Sequence, residues 1–82
     1  MKRRYFFLNQ DTIQLVLDRN HLTHQRFADH LGLSRSYWSQ VFNRHRHLTP
    51  MVRQCLIRSR YLKRVDEDTL WDVVERKPEA LS

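Results

Sequence analysis

Arg35, Ser36, Ser39, Gln40 and Asn43 fall at i, i+1, i+4, i+5 and i+8 of the stretch RFADHLGLSRSYWSQVFN, residues 26–43. On a helix these positions form one polar stripe beside the apolar Tyr37, Trp38, Val41 and Phe42. The chemistry of such a stripe is hydrogen bonding. Arg forks onto guanine O6 and N7, Gln pairs with adenine N6 and N7, and serine hydroxyls suit either base. Forked donors and acceptors with little charge fit base edges better than phosphates; the plainer alternative is a solvated helix face. Directly after the stripe, NRHRHLTP places Arg44 and Arg46 beside His45 and His47. Phosphate contacts fix register and orientation without carrying sequence information, and Arg, Asn and backbone N–H groups supply many of them. Asn43, Arg44 and Arg46 are candidates for such a clamp, as are Thr23 and Gln25, at a helix start whose free N–H groups attract anions.

The remaining reactive side chains do not converge. Five histidines and one cysteine occur in 82 residues. His21 and His24 are three apart, His45 and His47 two apart, and His24 and His30 straddle a helix. A closed zinc site needs four ligands, and neither CxxC nor HExxH is present. Cys55 reads as a small buried hydrophobe, and a lone cysteine rules out an internal disulfide framework. No serine has a nucleophile's setting, and the acids outside the last 18 residues are scattered singly. We expect no enzyme activity, no metal and no cofactor.

Charge narrows the partner. The chain carries a net charge of +6 and a pI of about 10.3, which favours a polyanion. Residues 1–64 hold thirteen Lys/Arg against three acids, whereas residues 65–82 hold six acids against Arg76 and Lys77. The first part reads as a polyanion-binding body and the second as an acidic tail facing away from it. No apolar run approaches the roughly 20 residues of a spanning helix, and the apolar part of MKRRYFFLNQ is too short for a signal peptide. A soluble, intracellular protein is expected.

The stripe needs a scaffold, and periodicity predicts helices for it. Asn9 or Asp11 caps a helix to about Arg19 with Ile13, Val16 and Leu17 on one face. Thr23 caps a second, with Phe27, Ala28 and Leu31 inward, which Gly32 ends. Ser34 caps the third, at 34–42. Thr49 followed by Pro50 opens a fourth with Val52, Cys55 and Leu56 inward. A last, acidic helix begins at Asp66 or Asp68 and carries Leu70, Trp71 and Val74, which either complete the core or meet a second subunit. RRYFFL before the first helix is a short edge strand or an extended arm, and Lys2, Arg3 and Arg4 reach a groove or phosphate if it is an arm. Gly32, the one glycine of the chain, sits where a two-residue junction calls for positive φ. Ala28 is small where the two helices meet, and Leu33 plugs their corner.

From about Leu22 to Leu56, densest in LTHQRFADHLGLSRSYWSQVFN, the chain resembles the phage-repressor, Cro-like or XRE type of helix-turn-helix DNA-binding protein. Ala28, Gly32, Leu33, Ser34 and Val41 stand where that pattern has its small residue, turn glycine, turn apolar residue, third-helix cap and core aliphatic. Two positions depart from it. His24 replaces a common glutamine, leaving the family's usual contact there without its side chain, and Trp38 replaces a Val or Ile, implying a reshaped core under the third helix. The resemblance implies an all-α, lambda-repressor-like domain of four to five helices, with the helix-turn-helix part and its basic arm over 1–64 and an acidic helix and tail of the same domain over 65–82. It implies base reading by Arg35, Ser36, Ser39 and Gln40, double-stranded DNA as partner, homodimers on paired half-sites, and a cytoplasmic, bacterial or phage-encoded repressor acting at the nucleoid. A rival reading is an interaction adaptor, antitoxin-like or polymerase-binding, whose acidic C-terminal helix grips a protein partner. RNA binding fits less well, because the aromatic residues of the helical body sit at core spacing.

Overall fold

The helix starts follow from their caps. In the computed structural model, which describes residues 3–76, Asn9, Thr23, Ser34 and Thr49 each accept a hydrogen bond from the backbone N–H three residues on, at 3.1–3.3 Å. Each such cap contributes about 1 kcal/mol. They open α1 (Gln10–Arg19), α2 (His24–Leu31), α3 (Arg35–Phe42) and α4 (Pro50–Arg58), with Pro50 in the first turn of α4 where its missing N–H is not needed. The apolar faces of these helices bury Ile13, Leu17, Phe27, Ala28, Trp38, Val41, Val52 and Leu56 together in one core.

Gly32 ends α2 at φ 75°. Its N–H donates to the Asp29 carbonyl, and the N–H of Leu33 reaches back to Ala28 at 2.9 Å, the paired bonds of a Schellman stop. A Cβ on Gly32 would meet nothing within 4 Å, so the position calls for glycine by backbone conformation and not by space. Among the described residues, two others take left-handed conformations without being glycine: His21 at φ 54° after α1 and Arg44 at φ 62° after α3.

The C-terminal segment departs from expectation, and the architecture is mixed, not all-α. In place of a long acidic helix there is one turn, α5 (Glu67–Leu70), and then a strand, β2 (Trp71–Arg76), antiparallel to β1 (Arg3–Leu8). Asp66 precedes α5 without a side-chain capping bond, and β-branched Val73 and Val74 favour the extended chain once a partner strand is available. RRYFFL is that partner, so Arg3 and Arg4 belong to a strand and not to a free arm; Lys2 lies outside the described residues. The register pairs Leu8 with Trp71 and Phe6 with Val73 on one face of the ribbon, and Phe7 with Asp72 and Tyr5 with Val74 on the other. Leu8, Leu70 and Trp71 are buried in the core, while Val74 is half-buried. Phe6 packs edge-on against Trp71, with centroids 6.0 Å apart, and under the Arg53 guanidinium at 3.8 Å.

The acidic segment does not face away from the basic body. Glu75 lies 3.5 Å from Arg4, and Asp72 lies 3.0 Å from Arg44. Cys55 is half-buried, not wholly enclosed. Among the described residues no helix is long and apolar enough to cross a membrane.

Candidate nucleic-acid interface

Three contacts fix α3. Its inner side is fully buried at Trp38 and Val41. Its last carbonyl, on Phe42, accepts a hydrogen bond at 2.9 Å from the side-chain amide of Gln10 in the first turn of α1. The Trp38 indole N–H donates to Nδ1 of His24 at 3.0 Å, and His24 Nε2 meets Gln14 Oε1 of α1 at 3.1 Å. The His24 ring also stands edge-on to Phe42, with centroids 4.5 Å apart. His24 is thus a strut between α1, α2 and α3. Its pKa is lowered from the ordinary 6.5, first by burial, then by the charge of Arg35, against a smaller opposite pull from Asp18.

With the inner side committed, the polar stripe lies on the surface. Arg35, Ser36 and Asn43 are exposed, and Ser39 and Gln40 are half-buried. Two pairs organise it. Asn43 Nδ2 donates to the Ser39 carbonyl at 2.9 Å and to its hydroxyl at 3.3 Å, and Arg46 Nε donates to Gln40 Oε1. Arg46 also lies over the Tyr37 ring, 5.5 Å from its centroid. His24, Arg35, Ser39, Phe42 and Asn43 line a depression of about 200 Å³ between the start of α2 and the stripe.

The basic loop begins where α3 ends. Arg44 closes the helix in a left-handed conformation that costs a non-glycine residue about 1–2 kcal/mol. Its N–H donates to the Val41 carbonyl at 3.2 Å. Its guanidinium stands over Phe7, 5.6 Å from the ring centroid, with Asp72 as counter-ion. Arg44 and Arg46 flank the C-terminal end of the stripe, and both hold intramolecular partners. At the other end, the Thr23 hydroxyl is engaged in capping α2, and the Gln25 amide donates to Asp29 at 3.0 Å; both side chains are exposed.

Several contributing residues went unnoticed in the sequence. Gln10 and Gln14 are ordinary polar positions on an amphipathic helix until the fold shows what they hold. Asp72 becomes the counter-ion of Arg44 only through the strand register. Tyr5 and Phe7 share one face of β1 through the two-residue period of a strand, which the unbroken apolar run YFFL does not display. Among the described residues, no three His, Cys, Asp or Glu side chains gather as a metal site would need. Compared with protein-family models, curated proteins and solved structures, the chain matches none.

Proposed function

We propose that this protein binds double-stranded DNA sequence-specifically and acts in the cytoplasm as a transcriptional regulator, a repressor that lays α3 in the major groove. The observation that carries the reading is the division of α3. Trp38 and Val41 are buried, and the opposite side presents Arg35, Ser36, Ser39, Gln40 and Asn43 with Arg44 and Arg46 at its end. Base-edge forks with guanidinium groups beside them combine direct readout with backbone positioning. With Oε1 engaged by Arg46, Gln40 offers amide donors, which match the acceptors of guanine or the O4 of thymine in place of the two-way pairing with adenine. A homodimer on DNA fits the small area that one module of this size presents.

The test separates reader from clamp. Gln40→Ala is expected to relax preference at one base position at a cost of about 1–3 kcal/mol, and Arg44→Ala to weaken all sequences and flatten the salt slope by about one unit. Equal losses on specific and random duplex from Gln40→Ala contradict its role as a reader.

A further inference from the structure

Between β1 and the basic loop lies a cleft of about 380 Å³ lined by Tyr5, Phe7, Tyr37, His45, Arg46 and His47, together with Thr49. Its walls follow from the chain. Alternation along β1 turns Tyr5 and Phe7 to the ribbon face opposite buried Leu8. The N–H of Leu48 donates to the Phe6 carbonyl at 2.6 Å, which lays the end of the loop along β1 and sets His47 edge-on to Tyr5, with centroids 5.3 Å apart. Tyr37 enters from α3 with Arg46 over its ring.

We propose that this cleft binds a single unstacked nucleotide, its base against the tyrosine rings and the Arg46 guanidinium plane, its phosphate on Arg46 and the imidazole N–H groups. Neither half of that ligand alone accounts for the lining. An anion site does not need three half-buried aromatic rings, and an apolar ligand does not need a guanidinium and two imidazoles. Among the described residues no carboxylate lines the cleft, so its charge complements a phosphate. Aromatic rings and guanidinium planes are the surfaces on which unpaired bases stack, and the volume lies within the range of small-ligand sites, about 300–1,000 Å³. The inference stands apart from duplex reading by α3, with which it shares Arg46. The nucleotide is either free or the unpaired residue of a strand.

Titration of the full chain with AMP, with inorganic phosphate and with a dA4 tetranucleotide, followed by NMR of the Tyr5, Tyr37 and His47 rings, decides the matter. Saturable shifts with AMP about tenfold or more tighter than with phosphate are expected, and loss of about tenfold in Tyr5→Leu and in His47→Gln. His47 is exposed, so its replacement leaves the fold intact even if that of Tyr5 does not. If dA4 binds about tenfold tighter than AMP, the ligand belongs to a strand; equal affinity identifies a free nucleotide. Phosphate binding as tightly as AMP, AMP binding unchanged by His47→Gln, or no ring shift with either nucleotide ligand overturns the proposal. Duplex affinity measured on His47→Gln keeps this outcome separate from that of α3.

Discussion

The indole N–H of Trp38 is bonded to Nδ1 of His24 at 3.0 Å, and these are the two positions at which the sequence departs from the helix-turn-helix pattern expected of it. Each departure accounts for the other. A fully buried indole needs an acceptor, because an unpartnered buried donor costs about 1–3 kcal/mol, and His24 supplies it from α2. Accepting at Nδ1 leaves the imidazole proton on Nε2, which donates to Gln14. His24 therefore serves the packing of α3 and not an outside contact.

That arrangement has a pH dependence with a defined sign. The folded-state pKa of His24 lies below 6.5, so the unfolded chain takes up the proton first as pH falls. The contribution of His24 to stability is fully present above pH 6.5 and is lost as pH drops from there through the folded pKa. Thermal unfolding between pH 8 and pH 5 should show the wild type losing more stability than His24→Gln, which keeps an acceptor for the indole and does not titrate. Parallel profiles for the two proteins contradict this.

Restoring the aliphatic residue of the pattern should not stabilise the fold. Trp38→Val leaves a cavity and His24 Nδ1 without its donor, and about 3 kcal/mol of destabilisation is expected, in the range for large core truncations. A double-mutant cycle with His24→Ala should give a coupling of about 0.5–3 kcal/mol. Additive losses in denaturant unfolding mean that the bond adds nothing beyond packing.

Asp72 holds the guanidinium proposed to grip a phosphate. The pair is substantially exposed on both sides, 40% and 50%, so Asp72→Asn should change stability by less than about 1 kcal/mol. Duplex binding should tighten and its dependence on salt steepen by about one unit, because Arg44 no longer has a competing counter-ion. Unchanged affinity and slope across a salt series mean that Arg44 does not contact DNA.

Gly32→Ala should cost about 1–2 kcal/mol, the left-handed penalty alone, since nothing lies within 4 Å of the added Cβ. Gly32→Asn should recover part of it, because asparagine tolerates that conformation better. Equal losses for alanine and asparagine in chemical denaturation point to a steric cause instead.

Local signals made α1–α4 legible. Asn9, Thr23, Ser34 and Thr49 cap where a capping residue precedes an apolar period, and Gly32 stops α2 where the turn needs positive φ. The C-terminal strand had no such local signal. Leu70, Trp71 and Val74 satisfy helical spacing, and the choice of strand rests on pairing with β1, whose Arg3 meets Arg76 across nearly the whole chain. No window of neighbouring residues contains that partner. The same distinction holds at the candidate site. The stripe on α3 lies within one helix and was readable, whereas the cleft and the Arg44–Asp72 pair each join segments distant in sequence.

Selection of bound sequences from a random duplex pool, repeated with the Arg35→Ala, Gln40→Ala double variant, tests the central claim most directly. The account predicts a palindromic motif with the wild type that blurs in the variant, since sequence reading rests on the stripe and dimers supply the symmetry. Enrichment of nothing beyond general duplex by the wild type, or the same sharp motif from both proteins, contradicts it.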